Sequence, residues 1–303
     1  MTATITPVPP APMRPTRRRR SRGDTAARAA RGGLFHVTST VLAVAFLFPL
    51  VWALLNSFKT KAEANQQPPT WFPHSLSIAN YRSLAGFDQG IGTYLLNSVL
   101  LSALTVVLAV AVCVLGGYGF ARFTFRGKTL LFGTTLGILM VPYATILLPL
   151  YIVLGHLGLQ NSLIGLALVL VMFQLPFGIY LMRNSFESVP RELEEAALVD
   201  GASTFGAMRH VSLRIVMPGV VTVALFSFLT SWNEYLAPLI FLNDGSKYTL
   251  PVMLVNIRYA SYNIIDFGAL QAGVVIAMLP CLVVYLALQR FYVNGLVAGA
   301  LRG

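Results

Sequence analysis

The sequence predicts an all-α integral membrane protein with six transmembrane helices. Of its 303 residues, 56% are hydrophobic and only 11% are charged, a composition that water-soluble chains rarely show. Six stretches reach the roughly 20 mostly apolar residues that a helix needs to cross a hydrocarbon core about 30 Å thick. These stretches contain a single Asp, Glu, Lys or Arg, which is Glu234. They run over residues 34–56, 94–121, 129–154, 162–182, 215–242 and 268–288.

The distribution of basic residues orients the predicted spans. If the chain starts inside the cell, the inner segments hold 17 of the 22 Lys and Arg residues and the outer segments hold five. This positive-inside bias predicts that both termini are cytoplasmic. It also explains the net charge of +11 without a nucleic-acid partner. The inner segments are residues 1–33, 122–128, 183–214 and 289–303, and the outer segments are residues 57–93, 155–161 and 243–267.

The first element, residues 1–33, is rich in Pro, Ala and Arg and predicts a disordered basic tail before the membrane domain at 34–303. Its stretch "RPTRRRRSRG" has the composition of a nucleic-acid patch or of the start of a signal peptide. We favour a cytoplasmic tail that fixes the topology and contacts anionic membrane lipid. The apolar run that follows is too long for a signal peptide and lacks a clear cleavage site. We therefore expect it to remain as the first span.

Two loops follow the first spans. Residues 59–86 form a polar outer segment, in which three prolines exclude a long helix. The inner turn 122–128 continues into the letters "GKT", which resemble the end of a phosphate-binding P-loop. Arg122 stands where that motif needs its first Gly, and no soluble strand precedes it. We therefore do not expect this chain to bind ATP by itself.

Cys113 and Cys281 both lie inside predicted spans. Free thiols are expected there rather than a disulfide. The four histidines are scattered along the chain and show no metal-ligand spacing. The sequence thus offers no candidate for a metal site or for a catalytic residue.

The longest inner loop between spans, residues 183–214, contains the stretch "VPRELEEAALVDGASTFGAMRH". Pro190 suits the first position of a helix, and the helix dipole favours the three glutamates that follow it. Gly201 predicts a stop in the left-handed conformation. Ser203 can cap a second short helix that runs through Arg209. This pattern predicts two helices joined by a glycine turn along the membrane surface.

The segment "EAALVDGASTFGAMRHVSLRIVMPG" resembles the EAA loop of binding-protein-dependent ABC import permeases. Glu195, Ala196, Ala197 and Gly201 match at the expected spacing, whereas Arg214 stands where Pro is usual. Four further segments are similar to the carbohydrate-uptake branch, the maltose and glycerol-3-phosphate type. They are "SFKTKAEA…PPTWFPHSLSIANY", "GYGFARFTFRGK", "SWNEYLAPLIF" and "QRFYVNGLVAGALRG". The resemblance extends over nearly the whole chain from about Leu34.

This resemblance implies a permease subunit of a bacterial or archaeal cell membrane that imports a sugar or related polyol. The chain would form half of the translocation path, in a heterodimer with a second permease subunit. Two ATPase subunits would bind ATP and Mg²⁺, so this chain would carry no cofactor. An extracytoplasmic solute-binding protein would deliver the solute. The residues expected to couple to the ATPase are Glu195, Ala196, Ala197, Asp200 and Gly201.

The stretch "SWNEY" in the fifth predicted span supplies candidates for the path or for the permease interface. A charge in the middle of a bilayer is costly, so Glu234 should face a cavity or a partner rather than lipid. Trp232 has a face that can stack on a sugar, and Asn233 has both donors and acceptors. Successive helical residues point about 100° apart, so these three residues do not all face one pore. We favour Asn233 as the path-facing group and Glu234 as a contact to the partner permease.

Three other functions fit a chain of mostly apolar spans less well. A secondary transporter driven by an ion gradient needs intramembrane acids, and only Glu234 qualifies. A membrane-embedded enzyme needs a polar catalytic cluster at the membrane face, which the sequence lacks. An ABC permease for peptides, amino acids or phosphonate is disfavoured by the resemblance of "SWNEYLAPLIF" and of the C-terminal segment to the carbohydrate branch. The identity of the sugar stays open.

Overall fold

The structure is a computed structural model that describes the backbone of residues 22–260 and 266–300 and the side chains of 32–257 and 266–289. All regular elements in these ranges are helical. In chain order, the α-helices are α1 (Arg22–Ser57), α2 (Lys61–Ala64), α3 (Ala79–Ala85), α4 (Ile91–Arg122), α5 (Lys128–Gly137), α6 (Tyr143–His156), α7 (Leu163–Glu187), α8 (Arg191–Val199), α9 (Thr204–Ala207), α10 (Leu213–Ile215), α11 (Met217–Trp232), α12 (Leu236–Phe241), α13 (Leu250–Ala260) and α14 (Phe267–Ala300). Short 3-10 helices cover Ile138–Met140 and Gly245–Lys247, and a π-helix covers Met208–Ser212.

The chain divides into two compact units, residues 1–51 and 52–303, which are described separately. In the first unit, α1 begins at Arg22, so residues 22–33 are helical where a disordered tail was expected. Four alanines between residues 26 and 30 explain this difference, because Ala is the best helix former. The rest of the predicted tail, residues 1–21, lies outside the described residues.

Four helical stretches within the described ranges are long and apolar enough to cross a membrane. Two further predicted spans are each built from two helical pieces that meet at a sharp bend. The total reaches the six predicted spans if each bent pair is one span. The four continuous stretches are Gly32–Ser57, Ile91–Arg122, Leu163–Glu187 and Phe267–Gln289.

The third predicted span, residues 129–154, is not one straight helix. Its two halves meet at an angle of 108°, and Val141 between them is extended, with φ −84° and ψ 126°. Pro142 follows directly and explains the break, because a proline disfavours helical backbone at the preceding residue and has no N–H to donate.

The fifth predicted span, residues 215–242, is also broken. The segment 204–215 meets α11 at 79°, and residues 233–235 interrupt the helix before α12 begins. Pro218 and Pro238 explain the two breaks, since neither proline can donate the hydrogen bond that would continue the helix. Pro218 lies in the first turn of α11, where a proline is tolerated. The helix therefore restarts at Met217, just beyond the Arg214 that replaces the usual proline.

In the second unit, α4 packs against α7 and α11 with unusually close backbone approach. A Cβ atom at Gly117 on α4 would lie 2.4 Å from the Cβ of Met182 on α7. A Cβ atom at Gly178 would lie 2.3 Å from the Sγ of Cys113. Small residues allow such contact between membrane helices, so glycine fixes the separation of α4 and α7.

The segment after α1 folds onto the start of α14. Lys61 forms a 3.0 Å salt bridge with Asp266, and the Oδ1 of Asn65 accepts a hydrogen bond from the N–H of Phe267. Asn80 donates its side-chain amide to the carbonyls of Ser57 and Lys59, at 3.0 and 2.8 Å. The bonds of Lys61 and Asn65 join the first polar segment to the beginning of the last helix, and those of Asn80 hold the segment itself together. As the prolines predict, the helices in this segment are short.

Lys59 is fully buried within this segment. Its Nζ donates to the Oδ1 of Asn56 at 2.8 Å and to the carbonyl of Thr70, and it lies 5.2 Å from the centre of the Trp52 ring. Burial lowers the pKa of Lys59, and the negative charge of Glu63 opposes that shift. The amide, carbonyl and indole groups around the ammonium offset the cost of removing it from water.

Candidate coupling loop and translocation path

Helix α8 and the turn that follows it have the local structure that the sequence predicts. Pro190 is the residue just before the helix rather than its first residue. Gly201 adopts the left-handed conformation, with φ +88°. The N–H of Gly201 donates to the carbonyl of Leu198 and that of Ala202 to the carbonyl of Ala197, both at 3.0 Å. This pair of bonds is the Schellman arrangement, which satisfies the last carbonyls of a helix.

The chain then enters a second helical piece at Ser203. The Ser203 hydroxyl accepts from the N–H of Gly206 at 3.1 Å, which is the predicted cap. The piece does not stay α-helical through Arg209, because a π-helix begins at Met208 and ends at Ser212. Single-turn π-segments of this kind are rare in proteins overall, and those that occur often lie at functional sites.

The residues matched to the EAA pattern lie mainly on the outside of this loop. Glu195, Ala196, Asp200 and Gly201 are exposed, and Ala197 is half-buried. Apolar side chains accompany them, including Val199, which is 88% exposed, and Phe205. An exposed surface that combines a carboxylate, small residues and large apolar side chains is suited to docking a protein partner.

Glu194, next to Glu195, points into the protein. Its side chain is only 10% exposed and that of Arg122, at the end of α4, only 7%. The Nε and Nη2 atoms of Arg122 both lie 2.9 Å from Oε1 of Glu194. Tyr118 donates its hydroxyl to Oε2 at 3.1 Å, and Ser212 donates to Oε1. We call Tyr118, Arg122, Glu194 and Ser212 the Glu194 cluster.

Sequence reasoning missed this cluster. Arg122 counted towards the topology and against a P-loop, and Glu194 only as an acid in the first turn of a helix. One available signal was the pair of adjacent glutamates, because neighbouring helical residues point about 100° apart. The two carboxylates therefore point in different directions and have different surroundings.

The three candidates of the "SWNEY" stretch lie in different environments. Trp232 is 2% exposed, stacks on Phe228 with ring centres 5.6 Å apart, and donates its Nε1 hydrogen to the carbonyl of Ala277. Its ring is therefore part of the core and does not offer a free face to a solute. Asn233 is exposed and donates its amide to the carbonyl of Leu229 at 2.7 Å.

Glu234 has a local role that the sequence did not predict. Its Oε1 accepts from the N–H of Ala237 at 3.0 Å, which caps the first turn of α12. The carboxylate also lies near the hydroxyl of Tyr143, without a hydrogen bond of standard geometry. A carboxylate at a helix N-terminus is stabilised by the unpaired N–H groups and by the helix dipole. The break in the fifth span thus provides a partner for its single acid.

The face shared by α7 and α11 carries polar and aromatic groups together. Gln174 on α7 donates to the hydroxyl of Thr230 on α11 at 2.7 Å. The rings of Phe177 and Phe226 lie 5.2 Å apart, and both are exposed. Asn233 follows Thr230 by about one helical turn. Carboxamides, a hydroxyl and aromatic rings are the groups that sugars contact in proteins.

The family described as "Binding-protein-dependent transport system inner membrane component" matches residues 113–296, which is more than half of the chain. The chain belongs to this family. It is therefore a membrane component of a transport system that depends on a binding protein, not an enzyme.

Family relatives match along most of their length. The sulfoquinovosyl glycerol transport system permease protein SmoH of Agrobacterium fabrum is 33% identical, over 89% of this chain and 94% of its own. The diacetylchitobiose uptake system permease protein DasC of Streptomyces coelicolor is 31% identical, over 88% and 96%. The trehalose transport system permease protein SugB of Mycobacterium tuberculosis is 32% identical, over 91% and 99%.

A solved structure shares the fold of this family member. It is a bacterial ABC transporter involved in the import of the acidic polysaccharide alginate, and the matched chain superposes with a TM-score of 0.76 at 22% identity. The match covers 90% of this chain and 98% of that one. The ABC permease fold is thus confirmed for the all-helical architecture described above.

Proposed function

We propose that this chain is one of two permease subunits of an ABC importer for a sugar or related polyol. Three relatives above 30% identity carry names of systems for a sugar glycoside, a chitin disaccharide and trehalose. The solutes in these names are all carbohydrates, and they differ in size and charge. The proposal therefore specifies a carbohydrate or polyol without choosing among them.

The exposed surface of the loop at residues 191–205, which we call the coupling loop, is the observation that carries the coupling part of the proposal. Glu195, Ala196, Ala197, Asp200 and Gly201 dock on one of two separate ATPase subunits, which bind the ATP and Mg²⁺. Ala196 is small enough for close approach, and Glu195 offers a carboxylate for a basic group of the ATPase. The Schellman turn at Gly201 holds these residues in one arrangement before docking. Closure of the two ATPases then moves the loop and reorients the path.

The exposed face of α7 and α11 forms this chain's half of the path. Asn233 contacts the solute together with Gln174 and Thr230, and the second permease supplies the opposite wall in a heterodimer. Trp232 supports this wall from behind. Glu234 shapes it by capping α12 and also contacts the partner permease. The solute-binding protein delivers the sugar on the side opposite the coupling loop, and both termini are cytoplasmic.

Two measurements test the class of transporter and the solute. First, the solute-binding protein of this transport system is purified and screened by thermal shift against trehalose, diacetylchitobiose, maltose and glycerol 3-phosphate. Second, cells take up the radiolabelled hit with either ATP depleted or the proton gradient collapsed. We expect uptake to stop when ATP is depleted. Uptake that stops only with the uncoupler would instead indicate an ion-driven transporter.

Variants at Asn233 test the path. Asn233→Ala removes the carboxamide, and we expect a fall in uptake of about tenfold, the loss of roughly one hydrogen bond at 1.4 kcal/mol per tenfold. Asn233→Gln keeps the carboxamide and should retain part of the uptake at equal membrane abundance. Unchanged affinity and rate in Asn233→Ala would remove this residue from the path.

A further inference from the structure

The carboxylate of Glu194 meets three separate parts of the chain. It lies on α8, receives two bonds from the end of α4 through Arg122 and Tyr118, and receives a third from Ser212 at the end of the π-helix. Arg122 also donates from Nη2 to the carbonyl of Val189 at 2.9 Å, just before α8. The coupling loop is therefore tied on both of its sides to one buried charge pair.

We propose that the Glu194 cluster transmits movement of the coupling loop to α4 and to α11, with Glu194 and Arg122 as positioning residues. This inference rests on the proposed function, because it requires that α8 be the docking helix. Glu195 and Glu194 then divide two tasks on one helix. The exposed carboxylate faces the ATPase, and the buried one holds the helix to the membrane domain.

The burial of this pair is what allows it to transmit force. Separating a buried guanidinium from its carboxylate leaves two uncompensated charges, which is far more costly than breaking an exposed pair. A shift of α8 against α4 is therefore less favourable than a shift of both together. A salt bridge on the surface would stretch or hydrate instead. The Arg183–Glu187 pair, at 2.8 Å and partly exposed within α7, provides that comparison in the same chain.

Close packing continues the connection beyond the cluster. Gly117 directly precedes Tyr118 and holds α4 against Met182 of α7 without room for a Cβ atom. From Ser212 the chain passes through α10 into α11. Helix α11 has 16 residues and is therefore about 24 Å long at 1.5 Å per residue, and it ends beside Asn233. Both routes from Glu194 therefore lead to the helices that carry the α7 and α11 face.

The test measures path movement without a sugar. The assembled importer is purified through a tag on this chain and placed in proteoliposomes, with Cys113→Ala and Cys281→Ala as background and Asn233→Cys as a reporter. Maleimide labelling of residue 233 is timed without nucleotide and after trapping with Mg-ATP and orthovanadate. ATP hydrolysis, co-purified ATPase and thermal stability are measured on the same samples.

In the background protein we expect trapping to change the labelling rate. In Glu194→Gln this change should shrink about fivefold or more, a typical coupling effect, while ATPase binding and ATP hydrolysis persist. Glu194→Asp keeps the charge and should restore part of the response. Glu187→Gln, the matched control in the exposed pair, should respond like the background.

Three results would overturn the proposal. A normal response in Glu194→Gln would show that the cluster transmits nothing. Parallel losses of response, hydrolysis and thermal stability would assign it a folding role only. If the background protein binds no ATPase, the proposed function fails, and the proposed role of the Glu194 cluster fails with it. Should Glu194→Gln not accumulate in the membrane, Tyr118→Phe removes only one donor and must show a smaller loss of response.

Discussion

Gly201 and Gly127 provide a matched pair of perturbations that separates coupling from folding. Both adopt the left-handed conformation, with φ +88° and +84°, and both occupy helix ends. A Cβ atom added at either position would meet no other atom within 4 Å. Substitution by Ala therefore adds no steric overlap at either site, and its effect is confined to the backbone.

The magnitude follows from this geometry. An L-residue in the left-handed region costs roughly 1–2 kcal/mol, and the lower entropy of the unfolded chain returns about 0.4–1 kcal/mol. We therefore expect Gly201→Ala and Gly127→Ala to lose the same small amount of stability, between about 0 and 1.6 kcal/mol. Gly201→Asp and Gly127→Asp share that cost and add one negative charge each.

Only the turn at Gly201 belongs to the proposed docking surface. We expect Gly201→Asp to insert normally and to lose nearly all uptake, with Gly201→Ala intermediate, while both Gly127 variants transport like the parent. The assays are uptake at equal membrane abundance, co-purification of the ATPase, and thermal unfolding in detergent. If Gly201→Asp transports as well as Gly127→Asp, the coupling role of Gly201 is refuted.

Three further predictions concern packing, topology and acid sensitivity. Gly117→Ala places a Cβ 2.4 Å from that of Met182 and should destabilise the protein by about 1–3 kcal/mol, whereas Gly119→Ala, with open space around it, should not; equal thermal unfolding of the two would contradict the close-packing argument. In a background without native cysteines, Leu76→Cys should label from outside intact cells and Val199→Cys only after permeabilisation; outside labelling at 199 would reverse the topology. Burial raises the pKa of Glu63, but hydrogen bonds from His74 and Thr70 lower it further, so the net shift is downward; the stability that Glu63 contributes is present above its ordinary pKa and should be lost as pH falls through the lowered value. Unfolding followed from pH 7 to acid should show this loss in the parent and not in Glu63→Gln, and identical profiles would remove Glu63 from the acid response.

The positions of the four continuous apolar helices could be predicted from the sequence because apolar length alone decides them. The left-handed conformation of Gly201 could also be predicted, because a glycine after a run of good helix formers signals the end of the helix. Whether each span is straight or broken could not be predicted from the sequence. Pro176 and Pro280 remain inside α7 and α14, whereas Pro142 lies at one break and Pro238 lies in the first turn after another. Whether a proline bends or ends a helix depends on neighbours that a single sequence does not reveal.

In the candidate site, local features could be predicted from the sequence, and contacts between distant residues could not. The exposed EAA residues follow a local pattern, and their positions were predictable. The pairing of Arg122 with Glu194 joins residues 72 positions apart, and no local rule brings them together. The inward orientation of Trp232 likewise depends on Phe228 and Ala277. The polar face of α7 and α11 was missed because Gln174 is a single polar residue within an apolar run and lies 56 positions from Thr230, so only packing places the two side by side.

The bonds between the first polar segment and the start of α14 form only after most of the chain has been synthesised. The amide of Phe267 and its acceptor Asn65 are 202 residues apart, and ribosomes add about 5–20 residues per second. The segment around Lys59 therefore waits roughly 10–40 s for the residues that complete it. During that interval the polar groups of this segment lack the partners that α14 provides. A chain that terminates early never receives its last helix, so the same bonds separate finished molecules from unfinished ones.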